Sequence, residues 1–136
     1  MLDLGCGTGD ITYLFAEKGY DMIGVDISFD MLNIAKEENN HENILYLNQD
    51  MAEFELYGTV DVIYSSLDCL NYITDKRDLK KVFKLCHNYL NPDGLFIFDI
   101  NTEYKFKNIL DNNTFVYDNS DAYLVWQSEY FKKEKI

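Results

Sequence analysis

The chain of 136 residues is long enough for one domain with a packed core, because 47% of its residues are hydrophobic and 15% are aromatic. Twelve Lys and Arg residues stand against 24 Asp and Glu residues, a net charge of −12 that argues against nucleic acid as a partner. The three cysteines are far apart and indicate neither a disulfide framework nor a metal site, and with no membrane-length apolar run and no signal-peptide pattern we expect a cytoplasmic protein.

The N-terminal stretch 1–9, with the sequence MLDLGCGTG, predicts a short buried strand that runs into a glycine-rich turn. Leu2 and Leu4 flank Asp3, and glycines at positions 5, 7 and 9 let the backbone turn sharply and approach a ligand closely. A helix predicted over 10–18 brings free N–H groups and a positive dipole end to the same place. Because so few residues precede this central strand, we expect the chain to be a piece of a longer protein.

The second strand, 21–26, follows Gly19, a typical helix stop, and ends in an acidic residue. Asp26 lies 21 positions after Gly5, close to the spacing of about 20 residues that places a carboxylate on a ribose hydroxyl pair. The pattern therefore predicts that Asp26 binds a ribose.

The remaining elements up to residue 100 continue the alternation of strands and helices. They are a helix over 28–40 capped by Ser28 or Asp30, strands at 44–47 and 60–66, a helix capped by Thr74 or Asp75 that runs to Leu90, a turn at 91–94 and a strand at 95–100. Such alternation is typical of an α/β sheet. Right-handed crossovers favour the strand order 3-2-1-4-5, with a ligand crevice at the strand carboxyl ends that collects the glycine loop, Asp26, Asp50 and 65–72.

The pattern changes after residue 101. A helical stretch over 102–110 precedes two segments rich in aromatic and β-branched residues, 114–117 and 122–131, which flank a turn at 118–121. We expect an antiparallel hairpin here, not a further β/α unit.

The glycine spacing differs from that of dinucleotide-binding proteins. A dinucleotide fingerprint that starts at Gly5 requires glycine at position 10, but Asp10 stands there and the third glycine comes one residue early, at Gly9. A carboxylate at that position would lie beside the pyrophosphate of NAD. An NAD-dependent oxidoreductase therefore remains an alternative that the spacing disfavours.

Residues 3–9, DLGCGTG, and 24–28, GVDIS, resemble motif I and the post-I acid of class I S-adenosylmethionine-dependent methyltransferases, in particular the small-molecule sugar and amino-acid N-methyltransferases. The resemblance covers about residues 1–101 and includes the turn 92–94. It implies a doubly wound, Rossmann-like and mostly parallel sheet, truncated at both ends, with 1–101 as the cofactor-binding core and 102–136 as the start of a substrate-covering antiparallel insertion. It also implies methyl transfer to a small-molecule N or O acceptor; a cofactor-binding module without turnover is a further alternative.

The same resemblance implies that Asp50 receives the adenine amino group and that Met51 packs near the ring, whereas the residues alone favour Asp50 as the cap of a turn. The cofactor contacts implied in this way are Asp3, Gly5, Cys6, Gly7, Gly9, Asp26, Ile27, Met31, Asp50, Met51 and Ser66.

The loop 66–72 after strand four is the expected acceptor side. Methyl transfer from a sulfonium is a direct displacement, so alignment and exclusion of water matter more than a catalytic triad. Asp68, Asn71 and Tyr72 are candidate substrate-facing residues, but Asp68 could be a helix cap and Tyr72 a packed aromatic. Cys69 stands where related sugar N-methyltransferases often have a His, so no catalytic base is assigned. The loop lacks the signatures of enzymes that methylate DNA bases.

Overall fold

The computed structural model describes residues 1–120 and 122–131. Met1–Ile100 forms one compact unit, and the described residues from Asn101 onward form a second. The first unit contains five parallel strands in the order β3-β2-β1-β4-β5, which confirms the predicted topology. Its elements are β1 (Leu2–Leu4), α1 (Asp10–Ala16), β2 (Met22–Asp26), α2 (Phe29–Glu38), β3 (Ile44–Asn48), β4 (Val60–Ser65), α3 (Lys76–Tyr89) and β5 (Leu90–Phe98).

Side-chain caps fix where two of the helices begin. The Ser28 hydroxyl accepts a hydrogen bond from the Met31 N–H at 3.3 Å, and the Asp75 carboxylate accepts one from the Arg77 N–H at 2.8 Å. Each satisfies a backbone donor that the first helical turn leaves unpaired. Of the two cap candidates offered for each helix, Ser28 and Asp75 hold the cap position.

The fifth strand differs from its prediction at both ends. It begins at Leu90, which pairs with Val60, and the next pair joins Val62 to Leu95. Residues 91–94 therefore bulge out of the regular ladder, and Asp93 adopts a left-handed φ of 67°. The predicted turn is real, but it interrupts a strand instead of preceding one, and the strand ends at Phe98 and not at residue 100.

The core lies on both faces of the sheet. On one face the fully buried side chains of Leu2, Leu4 and Ile63 pack with Phe54, which comes from the irregular chain between β3 and β4. The Phe54 ring lies 5.3 Å from that of Tyr89 on α3, so this loop residue joins the sheet to the helix. On the other face, α1 packs against the central strands near Met22 of β2 and Tyr64 of β4.

The second unit begins with a short helix, α4 (Glu103–Lys105), and a π-helical turn, Phe106–Leu110. The strands β6 (Asn113–Asp118) and β7 (Tyr123–Ser128) then pair antiparallel, which confirms the predicted hairpin. Residue 121 of the predicted turn and residues 132–136 of the predicted insertion lie outside the described residues. None of the described helices combines the length and apolar character needed to cross a membrane.

Replacing Phe54 by Ala should lower the free energy of unfolding by about 3–5 kcal/mol, because the substitution empties a fully buried site between sheet and helix. Urea denaturation measures the change. Tyr57→Ala is the matched control, since Tyr57 is fully exposed three residues further on, and it should change the free energy by no more than about 0.5 kcal/mol. Equal losses in the two variants would contradict this account of the core.

Candidate functional site

A cavity of about 700 Å³ opens at the carboxyl ends of the strands, where parallel α/β sheets bind ligands. The strand ends, the glycine-rich loop and the loop after β4 contribute to its wall. Ten of the residues predicted to contact a cofactor line it, namely Asp3, Gly5, Cys6, Gly7, Asp26, Ile27, Met31, Asp50, Met51 and Ser66. The fold thus brings together positions that are up to 63 residues apart in the sequence, from Asp3 to Ser66.

The glycine-rich loop is tied to the end of β2. The N–H groups of Gly5 and Cys6 both donate to the carbonyl oxygen of Val25, at 2.8 and 3.0 Å. Gly7 has a left-handed φ of 55°, and a Cβ placed there would meet no atom within 4 Å. The loop therefore turns over the strand end and presents bare backbone to the cavity.

Gly9, the eleventh predicted cofactor residue, does not line the cavity. It is the N-cap of α1 with φ 81°, and a Cβ at this position would collide with the hydroxyl of Tyr46. This glycine is needed for close packing of the helix start on β3. The sequence pattern indicated a turn conformation at Gly9 but not its close contact with Tyr46.

The Asp26 carboxylate fixes the shape of the cavity rim. Its Oδ2 accepts from the Gly7 N–H and its Oδ1 from the Ser28 N–H, each at 2.8 Å. A carboxylate oxygen has two lone pairs, so both oxygens can accept a further bond from a ligand hydroxyl. Asp26 thus both orders the glycine loop and remains able to bind.

Asp3 is a buried carboxyl group with one unsatisfied oxygen. Its Oδ2 accepts from the Thr12 hydroxyl at 2.6 Å and from the Tyr64 hydroxyl at 2.9 Å. Its Oδ1 is buried and has no hydrogen-bond partner among the residues that the structure describes. Burial raises the pKa of Asp3 to about 6, although the two hydroxyl donors oppose this increase. An orphaned oxygen in a cavity wall is a ready acceptor for a ligand donor.

The loop after β3 places Asp50 both in a turn and in the cavity wall. Asp50 Oδ1 accepts from the Ala52 N–H at 2.7 Å and so caps a turn, while Asp50 also lines the cavity. Gln49 lines it too, and its amide closes the loop by bonding to the backbone of Glu55. The cap and the ligand position are therefore compatible.

Of the three residues predicted to face the acceptor from the loop after β4, only one lines the cavity. Tyr72 lines the cavity and is 84% exposed, so it is not a packed aromatic. Asp68 and Asn71 do not line the cavity. Asp68 occupies the N-cap position of the 3-10 turn Cys69–Tyr72, without a capping bond from its side chain. The loop turns back at these residues, which directs other side chains into the cavity.

Several cavity residues were missed in the sequence. Thr8, Ile11, Leu67, Cys69 and Ile73 line the wall, and all lie within the predicted loops or directly beside them. Their contribution depends on the path of each loop, which no sequence pattern specified. Burial raises the pKa of the Cys69 thiol to about 11, so this group is protonated at neutral pH and cannot act as a thiolate.

The cavity wall is acidic. Asp3, Asp10, Asp26 and Asp50 line it, and no Lys, Arg or His is found among the described residues that form the wall. Carboxylates without cationic partners attract positively charged ligands and repel anions.

Asp3→Asn should abolish the pH dependence that the Asp3 carboxyl gives to the free energy of unfolding. Because the folded-state pKa of about 6 lies above the ordinary 3.8, the native state favours the protonated carboxyl, and this contribution is lost as the pH rises through about 6. The free energy of unfolding of the variant minus that of the native chain should therefore increase by about 2 kcal/mol between about pH 4 and pH 7. Urea titrations across this range measure it.

Asp10→Asn is the control for that experiment. Hydrogen bonds from Thr8 and Asn39 lower the pKa of this exposed carboxylate from the ordinary 3.8, so its contribution is lost as the pH falls below that value, and the difference between variant and native chain should not increase between about pH 4 and pH 7. A difference between Asp3→Asn and the native chain that does not vary with pH would refute the raised pKa of Asp3.

Comparison with known proteins places the chain among methyltransferases. Residues 1–94 match the family model described as a methyltransferase domain. The chain is 37% identical to a solved S-adenosylmethionine-dependent methyltransferase from Clostridium acetobutylicum ATCC 824, with a TM-score of 0.87 over 96% of this chain and 54% of that one. It is 36% identical over 130 residues to YqeM of Bacillus subtilis (strain 168), a protein named as a methyltransferase, covering 94% of this chain and 53% of that protein.

A more distant likeness shows the fold alone. The sugar N-methyltransferase KedS8 from Streptoalloteichus sp ATCC 53650 is 22% identical, with a TM-score of 0.74 over 91% of this chain and 49% of that one. The chain spans about half the length of the curated relatives it matches.

Proposed function

The chain belongs to the methyltransferase domain family, and we propose that it binds S-adenosylmethionine and forms the core of an enzyme that transfers its methyl group to a nitrogen or oxygen atom of a small molecule. The observation that carries this proposal is the acidic cavity at the strand ends. The family match supports the reaction class, and the chemistry of the cavity wall supports the cofactor.

The charge of the wall distinguishes the two nucleotide cofactors considered from the sequence. S-adenosylmethionine carries a sulfonium and an ammonium group, which four carboxylates would stabilise. The pyrophosphate of NAD would instead meet Asp10, the first residue of α1, at the helix end that dinucleotide-binding proteins use for phosphate. The wall therefore favours the cationic cofactor.

The residues present fit that cofactor group by group. Asp3 Oδ1, buried and without a protein donor among the described residues, can accept from the ammonium group. Both oxygens of Asp26 retain a lone pair for the ribose hydroxyls after binding Gly7 and Ser28. Asp50 uses Oδ1 for its turn, which leaves Oδ2 to accept from the adenine amino group beside Met51.

The chain's own contribution to the reaction is position and exclusion of water. When bound, the cofactor supplies an electrophilic methyl carbon on its sulfonium. Asp3 and Asp26 would hold its amino-acid and ribose parts through hydrogen bonds, and the loop after β4 forms the part of the wall that adjoins the glycine loop. Alignment of this kind accounts for most of the catalysis that a direct displacement needs. Tyr72, exposed and part of the cavity wall, would contact the acceptor.

We extend the proposal to the second unit, as the start of an insertion over 102–136 that covers the substrate. One face of its hairpin exposes large apolar side chains from both strands, namely Tyr117, Leu124 and Trp126. Exposed apolar patches of this kind usually serve binding.

Calorimetric titration of the chain should detect binding of S-adenosylmethionine and S-adenosylhomocysteine but not of NAD. Gly7→Val should abolish binding of both, because the new side chain projects into the open cavity. Gly19→Val is the matched control: Gly19 also has a left-handed φ and open space where a Cβ would lie, but it is outside the cavity. Preferential binding of NAD would overturn the proposal.

Asp26→Ala should also abolish detectable binding of S-adenosylhomocysteine, because it removes the ribose acceptor and the carboxylate that orders Gly7. Circular dichroism should show a folded chain. Asp30→Ala, an exposed change in the first turn of α2, should leave the affinity within about twofold of the native value. Undiminished affinity in Asp26→Ala would reject the assignment of this residue.

A further inference from the structure

The loop after β4 contains two consecutive residues in an unfavourable backbone conformation. Leu67 has a φ of 59° and Asp68 a φ of 53°, values in the left-handed region that non-glycine residues seldom adopt. Both residues carry a Cβ atom, which makes this conformation sterically unfavourable for them. Such strain persists only where neighbouring groups hold the backbone in place, and it is concentrated at functional sites.

One side-chain hydrogen bond stabilises this turn. The Asp99 carboxylate, directly after β5, accepts a hydrogen bond from the Asp68 N–H at 2.9 Å. Asp99 itself continues the sheet, since its N–H lies 3.4 Å from the Ser65 carbonyl oxygen at the end of β4. The carboxylate thus links the strained turn to the rigid edge between β4 and β5. Hydrogen bonds to an ionised acceptor are stronger than those between neutral groups.

The strained turn sets the position of Cys69, the next residue along the chain. The 3-10 turn Cys69–Tyr72 begins there, and the Cys69 thiol lies 3.4 Å from the Gly5 carbonyl oxygen. A Cβ on Gly5 would lie 2.8 Å from that sulfur. The loop after β4 therefore closes on the first glycine of the glycine-rich loop, and the two loops form adjoining parts of the cavity wall.

We infer that Asp99 is a positioning residue: it holds Leu67 and Asp68 in their strained turn and thereby keeps Cys69 against Gly5 and the cavity wall closed. Asp99 does not line the cavity, so its effect on a bound cofactor acts through the backbone of the loop. The inference rests on the proposed function only for the identity of the ligand.

Calorimetry with S-adenosylhomocysteine tests this role. Asp99→Ala should weaken binding by about tenfold, the effect of losing a hydrogen bond to a charged acceptor. Asp99→Asn keeps an oxygen that can accept from the Asp68 N–H and should restore the affinity to within about threefold. Both variants keep the backbone N–H that bonds to Ser65, so a loss of affinity in Asp99→Ala that Asn does not restore would contradict this role.

Asp61→Ala is the matched control. The Asp61 carboxylate, also exposed, accepts a hydrogen bond from the Asn91 side chain at 2.8 Å and so links β4 to the start of β5 far from the cavity. It should leave the affinity unchanged. Equal losses of affinity in Asp61→Ala and Asp99→Ala, or no loss in Asp99→Ala, would overturn the inference.

Amide hydrogen exchange tests the same role without any ligand. The Asn71 and Ile73 N–H groups donate to Asp68 and Leu70 within the 3-10 turn, so their exchange reports whether the turn is held. Asp99→Ala should accelerate exchange of both amides by about tenfold, whereas Asp61→Ala should not. Unchanged exchange in Asp99→Ala would refute the role, and failure of the native chain to bind S-adenosylhomocysteine would instead refute the proposed cofactor.

Discussion

The attachment of the glycine-rich loop to the end of β2 is the constraint on which the cavity depends. One carbonyl oxygen, that of Val25, accepts from two successive N–H groups of the loop, and the next residue, Asp26, accepts from a third at Gly7. These bonds fix the loop over the strand end with its bare backbone exposed. The spacing between the glycines and the acid thus has a structural cause, because the same carboxylate orders the loop and remains able to accept more bonds.

Burial and a cationic ligand would have opposite effects on the pKa of Asp3 in this cavity. Burial raises the pKa of Asp3 against the opposing effect of the Thr12 and Tyr64 hydroxyl donors, and it leaves one carboxyl oxygen unpartnered among the described residues, which costs stability in the unliganded chain. A cationic ligand would supply the missing donor and stabilise the ionised form. Strained or unsatisfied groups at binding sites are commonly retained in this way, because the ligand offsets their cost.

Tertiary contacts give several residues a second purpose. Tyr46 packs against Gly9 and also donates to the carbonyl oxygen of Asn39, so one buried side chain holds the start of α1 and the end of α2. The Asn39 amide in turn donates to the Thr8 carbonyl oxygen and the Asp10 carboxylate. The back of the glycine loop is thereby fixed by residues about 30 positions away in the sequence.

The sequence by itself determined the alternation of strands and helices, the strand order, the hairpin and the position of most of the cavity wall. These features depend on local patterns: apolar strands, caps such as Ser28 and Asp75, and glycines with left-handed φ at positions 5, 7 and 9. Right-handed crossovers then bring the strand carboxyl ends to one edge of the sheet.

Only the tertiary structure decided which side chains in each loop face the cavity. Asp68 and Asn71 turn away from it while Cys69 and Tyr72 line it, because the left-handed turn at Leu67 and Asp68 reverses the chain. That turn has no glycine to reveal it, and the acceptor that holds it, Asp99, lies 31 residues further along. A conformation held by a distant hydrogen bond leaves no local pattern in the sequence, which is why the loop composition could be read but its orientation could not.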